Sequence, residues 1–152
     1  MATYELQLVR VKVSDDEPIR ITKPEQVIDY LQKNKCFTSE EFWREQCWMI
    51  ALGKGNIPVG HFRVSSGSPS ACLIDANLIA RIAVMAGAVG VVVSHNHSNG
   101  DSKPSVRDIE ETKKLNNALG PLCIGLIDHV IVSSDEYYSF KNEVVKKSKG
   151  LF

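Results

Sequence analysis

The chain has 152 residues, a length that suits one domain with a single sizeable core. Its 18 lysines and arginines balance its 18 aspartates and glutamates, and 43% of its residues are hydrophobic. This composition is that of an ordinary globular protein and excludes a disordered or polyelectrolyte chain. The balanced charge gives no general attraction to nucleic acid or to an anionic membrane, although it leaves room for a local basic patch.

Neither export nor membrane insertion is predicted. The first residues, MATYELQLVRVKVSDDEP, lack the features of a secretory signal, and no apolar run is long enough to cross a bilayer. We therefore expect a cytoplasmic protein without a membrane partner. The cysteines are scattered without a CxxC pair, which argues against disulfides and a thiolate zinc knuckle. We interpret all four as small buried apolar residues: Cys36, Cys47, Cys72 and Cys123.

Strand and helix patterns alternate in the first half of the chain. Apolar and polar residues alternate from Leu6 to Val13, which is the period of a half-buried strand. Thr22 and Glu25 form a capping-box pattern that predicts the start of a helix. The apolar run QCWMIAL, the turn residues GKGNIPVG and the segment His61 to Val64 then predict a strand, a hairpin turn and a second strand.

The second half continues this alternation. Apolar residues from about Leu73 to Ala86 cover most of a helical surface and predict a buried helix. The β-branched run Val89 to Val93 is typical of a central strand covered on both faces. A helix is predicted from Ser105 to Leu119, and a last strand within residues 124–132.

These elements predict an α/β fold class, a single layered domain with a mixed β-sheet flanked by helices. We expect the domain to cover residues 1–140. The remaining residues 141–152, KNEVVKKSKGLF, form a basic C-terminal tail that we expect to fray.

Two histidines and an aspartate in the segment SHNHSNGDSKPSVRD are candidate metal ligands. His95 and His97 end the predicted central strand, where side chains two residues apart project to the same face. Asp108 falls in the first turn of the next helix, so the chain can fold back and bring its carboxylate beside the imidazoles. Two imidazoles and a carboxylate are typical of catalytic zinc, which keeps a fourth position open to water.

Each of these residues also has an interpretation without metal. Ser105 and Asp108 fit an S-x-x-D capping box, in which the aspartate caps the helix and complements its dipole. The histidines can be surface loop residues, because a bare HxH pattern is weak evidence. The combination of an aliphatic strand ending in HxH with an aspartate on the next helix favours the metal site.

The same segment resembles the JAMM signature of the JAB/MPN metalloprotease superfamily, which is His-x-His, ten residues and Asp, with a serine three residues before the Asp. More closely, HNHSNGDSKPSVRDIEETKKL followed by LIDHVIV is similar to the RadC-like JAB domain, over about residues 25–132. The resemblance implies a JAB/MPN fold, which is cytidine-deaminase-like. It also implies a zinc-dependent hydrolase that cleaves a peptide or isopeptide amide, with Zn²⁺ held by His95, His97 and Asp108.

The resemblance also implies two catalytic residues. Ser105 would donate to the oxyanion. A glutamate just before the first core strand would carry the proton, and its register against WMIAL selects Glu45 over Glu40 and Glu41. All three glutamates can equally belong to a solvated acidic stretch.

Further positions match or depart from the family pattern. Asp128 and His129 match the family's DHiIi strand, so Asp128 is a candidate acceptor for a ligand histidine, or the pair is simply satisfied at the strand start. Ser98-Asn99-Gly100 stands where Pro-Ser-Gly is usual, and Ser102 replaces a proline. Such changes loosen a loop and bear on substrate fit more than on metal binding.

Two other functions stay open. RadC-like proteins are traditionally labelled as DNA-repair factors. In this sequence, the lysine-rich tail is the one feature that favours nucleic-acid binding. A protein-interaction module without catalysis would be expected to have lost at least one of the five site residues, and all are intact. The identity of the peptide or protein substrate and the oligomeric state, a homodimer included, are left open.

Overall fold

A fully buried strand, β3 (Gly90–Asn96), lies at the centre of the molecule, as its β-branched run predicts. It pairs antiparallel with β1 (Gln46–Gly53) and parallel with β4 (Gly125–Val132). The structure is a computed structural model that describes residues 19–147. The strand predicted from Leu6 to Val13 lies outside the described residues.

Three more strands complete a six-stranded mixed sheet in the order β2-β1-β3-β4-β5-β6. The predicted hairpin is confirmed, with β2 (Ile57–Ser66) antiparallel to β1. The short strands β5 (Glu136–Ser139) and β6 (Val144–Lys147) were not predicted. The expectation of a frayed tail is wrong for residues 144–147, because these residues pair with β5.

Helices cover both faces of the sheet and confirm the layered α/β fold. On one face, α1 (Pro24–Lys33) contributes to a core with alternate residues of β1, β3 and β4. On the other face, α2 (Ala76–Met85) and α3 (Val106–Leu119) pack on the remaining alternate residues. A short 3₁₀ helix, Gly120–Leu122, follows α3. Successive side chains of β3 therefore enter two different cores, on opposite faces of the sheet. Val92 belongs to the first core, and Val91 and Val93 belong to the second.

Two details of the helices differ from expectation. The capping box of α1 is shifted by one residue, because Pro24 has no N–H and suits the first helical position. The Gln26 side chain therefore accepts the backbone N–H groups of Thr22 and Lys23, at 2.8 and 3.0 Å. Helix α2 is buried along one face only, and its end is exposed at Val84 and Met85.

Within residues 19–147, no helix is long and apolar enough to span a bilayer. All four cysteines are free thiols. Cys36 and Cys47 are buried as expected, whereas Cys72 is partly buried and Cys123 is exposed. Cys123 has a φ of 55° and lies in the turn between the short 3₁₀ helix and β4.

Packing of α3 on the sheet generates a stability prediction. Leu115 is 1% exposed within the second core, so L115A should lower the free energy of unfolding by about 2–5 kcal/mol. Leu122 is 44% exposed, so the matched change L122A should cost about 0.5 kcal/mol or less. Urea unfolding of both variants measures the difference, and equal losses would contradict this packing of α3.

Candidate metal centre

The three predicted ligands meet where β3 ends and α3 begins. His95 is the second-last residue of β3, and His97 directly follows the strand. Asp108 lies in the first turn of α3. The ligand atoms all lie within 4.8 Å of one another. His95 Nε2 is 3.2 Å from Asp108 Oδ1, and His97 Nε2 is 3.4 Å from Asp108 Oδ2. The predicted juxtaposition of the three side chains is therefore present in the structure.

The two imidazoles turn the same nitrogen toward the centre of the cluster. Their Nε2 atoms are 3.0 Å apart, and His97 Nδ1 lies 2.8 Å from the carbonyl oxygen of Asp101. Because a carbonyl can only accept, this contact requires the proton of a neutral His97 ring to sit on Nδ1. The Nε2 lone pair of His97 then faces the carboxylate.

Such a cluster requires a positive charge at its centre. Burial works against ionisation of Asp108, but the adjacent His95 and His97 rings and the hydroxyl of Ser105 hold its pKa well below the usual range. Burial lowers the pKa of His95. Burial also opposes protonation of His97, but the Asp108 carboxylate and the Asp101 carbonyl outweigh it and raise the pKa of this histidine. A proton on His97 or a bound cation can supply the missing charge.

The donor set fits a divalent metal in both chemistry and size. Two nitrogens and one carboxylate oxygen are common ligands of zinc. Tetrahedral ligands about 2.1 Å from an ion are separated from one another by roughly 3.4 Å. The two Nε2 atoms are 3.0 Å apart, and each lies near that distance from a different oxygen of Asp108, at 3.2 Å from Oδ1 for His95 and 3.4 Å from Oδ2 for His97. His95, His97 and Asp108 could therefore hold a metal ion once one carboxylate oxygen of Asp108 turns toward both nitrogens.

The capping box predicted for Ser105 and Asp108 exists alongside this cluster. Ser105 Oγ accepts the backbone N–H of Asp108 at 3.2 Å. Asp108 Oδ2 in turn accepts from the backbone N–H and the hydroxyl of Ser105, at 2.7 and 2.6 Å. Oδ1 meanwhile faces His95. The two interpretations of Asp108 are compatible, because a carboxylate has lone pairs enough for both.

The structure brings Glu45 to the same place. It immediately precedes β1 and shares the wall of a cleft of about 180 Å³ with His97, Ser105 and Asp108. Burial raises the pKa of Glu45, partly offset by His97. The remaining residues that line this cleft are Ser70, Ala71, Cys72, Asn99 and Arg107.

The two competing glutamates lie elsewhere. Glu40 is exposed, and Glu41 forms an ion pair with Arg63 at 3.5 Å. Neither of them lines the cleft. Of the three candidates, only Glu45 is placed beside the cluster.

Asn96, between the two histidines, was not singled out in the sequence. The alternation of β3 turns its side chain to the opposite face, where its Oδ1 accepts the N–H of Gln46 at 2.7 Å. Its Nδ2 donates to the carbonyl oxygens of Arg44 and Phe42, at 2.9 and 3.2 Å. Asn96 therefore binds the backbone on both sides of Glu45. The sequence did contain a signal, which is an asparagine at the end of a strand predicted to be covered on both faces, where a polar side chain needs hydrogen-bond partners.

The suggested role of Asp128 as an acceptor for a ligand histidine is wrong. Its carboxylate accepts from Ser139 Oγ at 2.7 Å and from the backbone N–H groups of His129 and Lys141, at 2.8 and 3.0 Å. Its neighbour His129 takes that place, with Nε2 located 2.8 Å from Nδ1 of His95. The resemblance to the DHiIi strand pointed to the right pair of residues. Side chains alternate along β4, and it is His129, the second residue of the pair, that faces His95.

Comparison with known proteins gives one family. The RadC-like JAB domain model matches residues 21–145. A UPF0758 protein of Coprothermobacter proteolyticus is 31% identical over 127 residues, which cover 84% of this chain and 54% of that relative. A UPF0758 protein of Thermotoga maritima is 33% identical over 137 residues, covering 90% and 57%. The chain thus spans about half the length of the curated relatives it matches, and their names state no activity.

The contacts of Asn96 predict that stability and metal binding can be separated. N96A leaves buried partners unsatisfied and should lower the free energy of unfolding by about 2–3 kcal/mol. Zinc affinity should change less than about threefold, because every ligand atom remains. Urea unfolding and zinc competition with a chromophoric chelator measure the two effects.

Asn99 provides the control, since it is exposed and its side chain accepts the nearby N–H of Asp101. N99A should leave both quantities nearly unchanged. If N96A lost more free energy of zinc binding than free energy of unfolding, Asn96 would support the ligands rather than the segment that carries Glu45.

Proposed function

The chain belongs to the RadC-like JAB domain family, and on this basis we propose that it is a zinc-dependent hydrolase that cleaves a peptide or isopeptide amide. The observation that carries the proposal is the convergence of three ligand atoms within 4.8 Å, where two of the ligand residues, His97 and Asp108, line a cleft together with Glu45. A site built only to stabilise the fold would not need an open cleft beside its ligands.

His95, His97 and Asp108 would hold the ion. Bound zinc would supply a Lewis acid that polarises the amide carbonyl and lowers the pKa of an attacking water. Burial of His95 and partial burial of His97 and Asp108 exclude much of the solvent that would otherwise screen this charge.

Glu45 would act as the proton carrier. Glu45 lines the cleft with His97 and Asp108, and burial raises its pKa, which favours a carboxylate that accepts and then returns a proton. It would take the proton of the attacking water and deliver it to the leaving amine. The hydrogen bonds of Asn96 to the backbone on either side of Glu45 would hold Glu45 at a fixed distance from the histidines.

Ser105 would donate to the oxyanion. Its hydroxyl has one proton, which it donates to Asp108 Oδ2. Its Oγ accepts the N–H of Asp108 through a separate lone pair. The O–H bond can therefore rotate toward a substrate oxygen while Ser105 still caps α3.

A DNA-associated role has less support. The lysine-rich segment that suggested it belongs partly to β6, where Lys146 Nζ lies 2.6 Å from Glu25 Oε1. The same carboxylate oxygen accepts the hydroxyl of Tyr137 at 2.8 Å. Lys146 thus has an intramolecular role in fastening β6 to α1.

Zinc content tests the metal site. Protein prepared without chelators should contain about one zinc per chain. Zinc added to stripped protein should raise the melting temperature, because it binds only the folded state. H97A should abolish both effects, whereas H61A, which changes a histidine outside the cluster, should leave them intact. Absence of zinc together with unaltered stability on its addition would refute the metal site.

Cleavage of a peptide library tests the reaction. E45Q should reduce turnover by about 10²-fold or more while keeping its zinc, because it removes the proton carrier and no ligand. E40Q, the same change at an exposed glutamate, should retain wild-type turnover. Equal turnover by wild type and E45Q would remove Glu45 from the mechanism.

A further inference from the structure

A second histidine lies directly behind the ligand His95. The parallel pairing of β3 and β4 places Val93 opposite His129, so His95 and His129 lie on the same face of the sheet, one step apart. His129 is 1% exposed. Its ring stacks on Phe140, with centroids 4.7 Å apart and planes at 1°, and lies 4.9 Å from the ring of His95.

His129 also contacts α3 through Thr112, one turn after the ligand Asp108. Thr112 Oγ1 lies 2.6 Å from His129 Nδ1 and 2.5 Å from the backbone carbonyl oxygen of Asp108. Both separations are those of hydrogen bonds, and each needs a proton between its two heavy atoms. An unbroken chain of contacts therefore runs from His95 through His129 and Thr112 to Asp108.

The protons in this chain can be assigned. The carbonyl of Asp108 has none, so Thr112 donates its only hydroxyl proton to that oxygen. Thr112 Oγ1 must then accept from His129, whose Nδ1 carries the proton. A neutral His129 has no proton left for Nε2, so this atom accepts from His95 Nδ1. The proton of His95 is thus held on Nδ1, away from the cluster.

We infer that His129 and Thr112 are positioning residues that fix the ring tautomer of His95, so that its Nε2 lone pair faces the metal position. His97 reaches the same tautomer by a different route, through the backbone carbonyl of Asp101. The chain ends on the backbone of Asp108 and so ties two ligands of the cluster to each other. The inference rests on the metal site of the proposed function but not on any peptidase activity.

Zinc affinity tests this chain of hydrogen bonds. T112V removes the hydroxyl while keeping the shape of the side chain, and H129F removes both ring nitrogens while keeping an aromatic ring to stack on Phe140. Each variant should weaken zinc binding by about 10–100-fold, the usual effect of losing a partner of a metal-ligating histidine. T112S keeps the hydroxyl and should stay within about threefold of wild type.

The ring tautomers provide a readout that does not depend on metal or turnover. In ¹⁵N-histidine NMR spectra of zinc-free protein, His129 of the wild type should be protonated at Nδ1. T112V should shift this population toward Nε2, because the acceptor for Nδ1–H is gone. The spectra also report whether each variant is folded, so a lower affinity can be separated from misfolding.

The outcomes distinguish this inference from the proposed function. Unchanged zinc affinity in folded T112V and H129F, or identical tautomers in wild type and T112V, would overturn the inference while leaving the metal site intact. Weakened zinc binding in both variants, without peptide cleavage by the wild type, would support the inference and refute the hydrolase. Failure of the wild type to bind zinc would overturn both.

Discussion

The burial of β3 on both faces is the constraint on which the rest of the structure depends. Each of its side chains must belong to one of two opposed layers, and no position in the strand faces solvent. The aliphatic residues satisfy this by packing into the two cores. The polar residues at its end must be satisfied by hydrogen bonds instead, because an unpaired buried polar group costs about 1–3 kcal/mol.

This requirement explains why the end of β3 organises its surroundings. His95 is directed toward α3, and its buried Nδ1 finds His129 on β4. Asn96 is directed to the other layer and binds the backbone that carries Glu45. The metal ligands and the proposed proton carrier thus lie on different segments that are fastened to one strand. A strand covered on both sides is a rigid support, which the small tolerances of metal sites favour.

The start of α3 shows how one residue meets several demands. A helix N-terminus has unsatisfied N–H groups and a partial positive charge, both of which favour a carboxylate. Asp108 satisfies the backbone of Ser105 through Oδ2 and faces His95 through Oδ1. Its backbone carbonyl also accepts the Thr112 hydroxyl. The local hydrogen bonds at the start of the helix therefore orient the third ligand.

The sequence by itself determined whatever depends on local periodicity. Alternation in β3 placed His95 and His97 together, and the capping box located Asp108 and the start of α3. The resemblance to a family added Glu45, whose register against β1 no local rule specifies. Short strands such as β5 lack enough residues to show a period, which is why they were missed.

Only the tertiary structure decided the contacts that support the site. His129 and His95 are 34 residues apart, and Asn96 and Gln46 are 50 apart. Which residue of the Asp128–His129 pair faces the ligand depends on the register between β3 and β4. A shift of one residue would exchange their faces, and register between distant strands follows from the packing of the whole sheet rather than from any local pattern.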